Sequence, residues 1–378
     1  MIRIKIFLLL LCSFSLAVSA QNPTDSLRKR AKEIIYDQPE ETIKIVEKLL
    51  LQEKKADERA HLYMLISNAY IAKRNNDSSL FYILKATDLI NTTTLITTKI
   101  KILNSVAVQY QQMELYDKAL ESLDRALVLT EKLPFGDKDR VFYSAFNSAV
   151  HGMIYRNQSN PDLELKKFKL AAQNFHELKA DSKTLANLSI IYYNMGNCYL
   201  DLLKFQEAAI DFKKAENFAK DSKTNSLEAY ALKGQGESLF LNHFYKEALT
   251  VLYRAEKLAE SSGDLVLNEG LYRLLASSNL AINNFEKFQH YNTKYLAIQK
   301  NLEQNELKSL NRYLNTQELE QRELNSKVQK KFRLYEVLTL VFAFAILFFI
   351  LQKIIKLKKK NLRQKKILET MAKAKQIV

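Results

Sequence analysis

Tryptophan is absent from the 378 residues, and glycine and proline number only seven and four. Sheets joined by tight turns draw on those two residues repeatedly, so their scarcity excludes a turn-rich β architecture and leaves long uninterrupted helices. Cysteine is nearly missing as well. Cys12 lies in a segment that reads as a removable leader, so the mature chain keeps only Cys198, no intramolecular disulfide is open to it, and packing must hold the fold. Cys198 falls mid-helix among Tyr192, Tyr193 and Tyr199, the setting of a small buried cysteine and not of a reactive thiol. His61, His151, His176, His243 and His290 are scattered without metal-ligand spacing. Neither a nucleophile elbow nor a phosphate loop is present, and Gly234-Gln235-Gly236 reads as helix packing. No catalytic residue, metal or cofactor is expected, and the protein is not expected to be an enzyme.

Two apolar segments frame the chain. Arg3 and Lys5 precede the run Ile6 to Leu11, and Val18-Ser19-Ala20 supplies small residues for cleavage, the pattern of a signal peptide over residues 1–20. The second segment, Val337 to Leu351, has no charge, and its flanks extend it to the roughly twenty residues a bilayer requires. Being apolar on every side and followed by a lysine run, it suits lipid better than a core, so a transmembrane helix is expected over 336–355.

Charge sharpens the topology. The formal net charge is +15, but Lys353 to Val378 alone carries ten Lys or Arg against Glu369. With that tail and the two leader cations set aside, residues 21–352 retain only +4. Basic character therefore belongs to the tail, and no nucleic-acid partner is expected. Lys353, Lys356, Lys358, Lys359 and Lys360 are candidate contacts to anionic lipid. The positive-inside rule places the tail, 356–378, in the cytoplasm, consistent with a leader that exports everything before the span. The expected location is a bacterial inner membrane, crossed once, with the larger part outside the cytoplasm.

Between these segments the sequence repeats. Tyr192, Gly196, Tyr199, Ala208, Phe212 and Ala215 have the spacing of two antiparallel amphipathic helices, with small residues where the helices cross. The same frame appears as Leu103, Ala107, Tyr110, Ala119, Leu123, Ala126 and as Leu232, Gly236, Leu239, Ala248, Leu252, Ala255. Weaker copies start at Tyr63 and Gly152, the latter with Glu164 where a small residue is expected. Thr42, Val46 and Leu49 keep half of a first unit, and Ser277, Leu280, Gln289 and Leu296 a degenerate last one. Degenerate ends suit terminal caps, which need a polar outer face.

These units resemble tetratricopeptide repeats over about three quarters of the chain. The resemblance implies an all-α fold: a solenoid of about six to seven helical hairpins over 21–300, then a helical stalk and the transmembrane helix. Two features depart from the family, a spacing of about 40 to 45 residues against roughly 34, and tyrosine or an aliphatic residue in place of the usual tryptophan. First helices in such repeats line a concave face. Asn68, Lys101, Asn104, Arg156, Tyr193, Asn197, Lys233 and Glu237 fall between the packing positions of those helices and are the candidate partner-binding residues. The two-carboxylate clamp of chaperone-binding repeats lacks its basic residues around Asn68, Ser105, Phe146 and Val150, so a tail-carboxylate receptor is not expected.

The stalk, 301–335, places Leu307, Leu310, Leu314, Leu324, Val328 and Tyr335 in one heptad register with Gln317, Gln321 and Lys331 as polar defects. It reads either as a coiled coil joining two copies or as a single helix. The order of segments also resembles bacterial tetratricopeptide transmembrane regulators. It departs from them because 26 residues after Gln352 are too few for an output domain. The expected function is a membrane-anchored scaffold binding a peptide or protein. The competing expectation is a receptor that relays binding to a separate cytoplasmic protein.

Overall fold

A computed structural model describes residues 23–35, 38–73, 75–260 and 264–375. The expected signal peptide lies outside them. Fourteen helices and no strand occur among the described residues. They are α1 (Pro23–Glu33), α2 (Pro39–Leu50), α3 (Ala56–Ala72), α4 (Asn76–Asp88), α5 (Ile96–Gln112), α6 (Tyr116–Thr130) and α7 (Lys138–Asn157). There follow α8 (Pro161–His176), α9 (Ser182–Asp201), α10 (Phe205–Ser222), α11 (Asn225–Leu241), α12 (Tyr245–Ala259), α13 (Leu265–Ala281) and α14 (Phe285–Lys375).

Helix starts follow from local chemistry. Pro39 and Pro161 open α2 and α8, where a missing N–H costs nothing. The side chains of Asn160, Asp181 and Asp264 accept first-turn backbone N–H groups of α8, α9 and α13. The turns inside the hairpins share a second device. Glu114, Ser159, Leu203, His243 and Asn283 all have positive φ, between 55° and 66°, and the next residue donates its N–H to a carbonyl in the last turn of the first helix, as Lys204 does to Tyr199 at 2.8 Å. This is the Schellman stop, usually built on glycine and here built without one.

Among the described residues helices pair in order, α1 with α2 up to α13 with the start of α14, giving seven hairpins. The crossings use the small residues that the repeat frame marks. A Cβ on Gly196 would come within 2.7 Å of the Phe212 ring and one on Gly234 within 2.3 Å, so Phe212 stands between α9 and α11 at a closeness only glycine permits. Gly236 meets Leu252, and Gly152 meets Phe168, in the same way. Ala107, Ala119, Leu123, Ala208, Ala248 and Ala255 are fully buried, as the frame requires.

The last unit corrects the sequence reading by one residue. Leu280 and Leu296 are 43% and 53% exposed, while Asn279 is buried in place of Leu280 and Ala276 in place of Ser277. The hairpin turn at Asn283 lies forty residues after the one at His243, which makes Ala276 the counterpart of Gly236. Tyr291 of α14 closes this hairpin, stacking on Tyr272 at 6.0 Å and donating to Glu256 at 3.0 Å.

First helices of successive hairpins touch one another as well as the helix between them, as α9 and α11 or α11 and α13 do. Second helices make no comparable mutual contact among the described residues. The first helices therefore lie on the inside of the bend, as in stacked repeats generally. α14 also reaches the second hairpin: Arg312 pairs through Nε and Nη2 with Asp77 of α4, the Nη2 bond being 2.7 Å, and its guanidinium lies 5.3 Å from the Phe81 ring.

The chain divides into two compact units, one ending at Arg312 and one from Tyr313 to Val378. In the second, every described residue from 325 to 368 is exposed, and the helix contains a stretch long and apolar enough to cross a membrane. α14 has no break at 301, 336 or 356.

Candidate binding face on the first helices

The turn residues give the first helices a common register. Ten residues before the positive-φ positions stand Asn104, Ala149, Tyr193, Lys233 and Arg273; six before them stand Val108, Met153, Asn197, Glu237 and Ser277. Asn104, Tyr193 and Lys233 thus occupy one position on three helices, and Asn197 and Glu237 occupy another. Asn104 and Asn197 are each only 5% exposed, so they are packed between helices and present little surface. The Asn104 amide oxygen is buried without a hydrogen bond. Asn68 and Lys101 are half-buried on α3 and α5. Arg156 leaves the group: its Nη2 lies 3.7 Å from Asp201 at the end of α9. Lys353, Lys356, Lys358, Lys359 and Lys360 are all exposed on α14.

The residues that converge are on α9, α11 and α13. Lys233 lies across Gly270, where a Cβ would come within 3.2 Å of its Cδ, and its Nζ is 5.8 Å from the Tyr193 ring centre. Tyr193 meets Tyr230 edge-on at 5.4 Å and Phe212 at 5.9 Å. Tyr230 donates to Asp264 at 2.7 Å, which ties the aromatic wall to the cap of α13. Glu237 lies between two cations, 3.6 Å from Lys233 Nζ and 3.5 Å from Arg273 Nη2. Burial works against the Lys233 charge, but Tyr193 and Glu237 outweigh it and hold the ammonium above the ordinary lysine range. Lys233 is therefore a cation at neutral pH although its side chain is only 12% exposed.

Sequence reasoning missed Arg273, Tyr230 and Gly270. The forty-residue step that carries Tyr193 to Lys233 also carries Lys233 to Arg273, but the one-residue slip in the last unit hid it. No sequence signal marks Gly270 as the floor beneath Lys233.

Two buried carboxylates on second helices serve structure. Glu216 of α10 accepts from Lys213 at 2.8 Å, Lys220 at 2.5 Å and Gln235 at 3.0 Å. Burial opposes its charge, yet these donors pull its pKa down to about 2. Glu164 of α8 sits where other hairpins have alanine. It is 2% exposed, its Oε1 has no hydrogen bond, and burial pushes its pKa up to about 7. It neighbours Cys198, whose thiol burial pushes up to about 12, which makes it an unreactive core group. Among the described residues no cluster of His, Cys, Asp and Glu is placed to hold a metal ion.

No known protein family and no curated protein matches the chain. Solved structures do. A Rap protein complexed with competence and sporulation factor is 14% identical, with a TM-score of 0.55, covering 78% of this chain and 91% of that one. NprR in complex with its cognate peptide NprX is 12% identical, with a TM-score of 0.56, covering 78% of this chain and 83% of that one. At this identity the likeness establishes the fold, and the chain is a tetratricopeptide-like α-solenoid.

Proposed function

We infer that the chain is an interaction scaffold that takes a peptide or a protein segment along its first helices and is tethered to a membrane by α14. The observation that carries this reading is the convergence of Tyr193, Lys233 and Glu237 from two adjacent first helices on the inside of the bend. An aromatic wall beside a largely covered cation offers both contact area and a polar anchor, which is what peptide grooves use. The two fold neighbours, each solved with a signalling factor or peptide, lend the reading support. The apolar stretch of α14 supports the tether, and the basic residues beyond it support a cytoplasmic tail held at anionic lipid. Tagged full-length protein should be purified from detergent-solubilised membranes beside a Tyr193→Ala, Lys233→Met double variant. A specific partner lost from the variant, at unchanged melting temperature, is expected; an identical set of bound proteins would overturn the reading.

A second reading, a receptor that relays binding to another protein, draws on the Arg312 to Asp77 clasp. Because the clasp joins the last hairpin to the second, any change in the bend strains it. Spin labels at Lys85→Cys and Lys308→Cys should report a changed distance distribution when the purified partner is added. An unchanged distribution removes the relay and leaves the scaffold. The exposed heptad residues Leu307, Leu310 and Leu314 suit a stalk shared by two copies, which analytical ultracentrifugation in detergent would register as a dimer.

A further inference from the structure

Ion pairs in this solenoid come in two kinds. Around Glu216 three donors lie at 2.5 to 3.0 Å, with Arg254 further off at 3.5 Å, and saturate the carboxylate, as a permanent structural cluster does. Around Glu237 both cations stand off at 3.5 and 3.6 Å, at or beyond the limit of a hydrogen bond. Two cations therefore share one acid and the group carries a surplus of one positive charge; Lys233 is hydrogen-bonded to Tyr193, while Arg273 meets Glu237 through Nη2, at 3.5 Å. Arg273 is 48% exposed on its side-chain surface, so the group is reachable, while Lys233 is fixed by Gly270 beneath and Tyr193 beside it.

We propose that Lys233 and Arg273 form a receptor for a carboxylate of the bound peptide, supplied by an aspartate or glutamate side chain or by the chain end. The proposal rests on the peptide-binding reading above and names the chemistry of its anchor. A carboxylate matches the surplus charge. A phosphate, with nearly twice that charge, would meet the Glu237 carboxylate at close range without compensation. The planar Arg273 guanidinium offers two parallel N–H donors, Lys233 a third from the side, and Tyr193 and Tyr230 cover the peptide backbone that carries the acid. The site is assembled from α9, α11 and α13, so none of its hairpins can provide it alone.

The test uses the full-length chain in detergent micelles and four fluorescein-labelled peptides in one Gly-Ser-Tyr background, with alternate Glu or alternate Gln, each with a free or an amidated end. Fluorescence anisotropy should show the Glu peptides binding about tenfold tighter than the Gln peptides, with the preference shrinking as salt rises. The preference should disappear in Lys233→Met and in Arg273→Met and persist in Lys166→Met on the exposed face of α8. A Glu preference independent of amidation assigns the site to side-chain carboxylates, and a preference for free over amidated ends in both the Glu and the Gln peptides assigns it to the chain terminus; both support the proposal. Equal binding of all four peptides, a preference that survives in both site variants, or no binding at all overturns it. If all four peptides bind equally and Tyr193→Ala abolishes that binding, only the carboxylate receptor falls. If none binds and no partner in the affinity purification depends on Tyr193, the peptide-binding reading falls with it.

Discussion

Ten residues before the hairpin turn, α5 and α7 carry Asn104 and Ala149, whereas α9, α11 and α13 carry Tyr193, Lys233 and Arg273. The backbone is equivalent in the two halves of the solenoid. In the first half the position is filled by residues buried for packing, and in the second by an aromatic ring and two cations. The repeat motif therefore explains the scaffold, while the position between the motif residues separates a half that packs there from a half that carries the aromatic and charged groups proposed to bind.

Four perturbations break or sharpen this comparison. The largest acts on the wedge between helices. Phe212 fills the space against both Gly196 and Gly234 and supports Tyr193, so Phe212→Ala should cost about 3–5 kcal/mol in chemical denaturation and abolish the second-half site. Phe168→Ala, whose ring meets only Gly152 among the glycines, should cost less and spare binding.

The next concerns the boundary between the halves. Burial raises the pKa of Glu164 to about 7, well above the ordinary range of a glutamate. A carboxyl raised in the folded state contributes stability in its protonated form, fully present below the unfolded pKa and lost as pH rises through the folded one. The protein should therefore lose about 3 kcal/mol between pH 4.5 and neutrality. Glu164→Ala restores the alanine of the other hairpins and should flatten that slope in melting curves recorded across pH. Glu216 works the other way: with its folded pKa near 2, its contribution is present above the unfolded pKa and lost as pH falls toward 2.

A smaller effect separates the halves directly. Asn104→Ala removes a buried oxygen with no partner and should leave stability unchanged or raise it by about 1–2 kcal/mol, with peptide affinity unaltered. Lys233→Met at the equivalent position should reduce affinity about tenfold. The smallest acts on a turn. Leu203 is 72% exposed and left-handed, with φ of 56°, so Leu203→Gly should add about 1 kcal/mol in thermal denaturation.

The fold was legible because close helix crossings demand small residues at fixed spacing, and Gly196, Ala208, Gly236 and Ala248 stand at those points. Hairpin turns built on Glu114, Leu203 and His243 gave no glycine to mark them, so the boundaries and the register of the last unit were harder to read. The site was half legible. Tyr193, Lys233 and Glu237 follow from their place between motif residues, yet their partner Arg273 was hidden by the slip in the last hairpin. Asn104 and Asn197 looked like surface groups because a sequence does not show how deeply neighbouring first helices cover each other. Glu164 was visible as an anomaly, but its raised pKa depends on burial that only packing reveals.

The central claim is that the second half of the inner face holds a peptide. A photoreactive benzophenone residue placed at Ser277, and in a separate strain at the equivalent Val108, followed by illumination of intact cells and mass spectrometry, tests it most directly. A peptide or protein segment joined at Ser277, and lost when Lys233→Met is added, is the expected result. No adduct at Ser277, or adducts at both positions that Lys233→Met leaves unchanged, would contradict it.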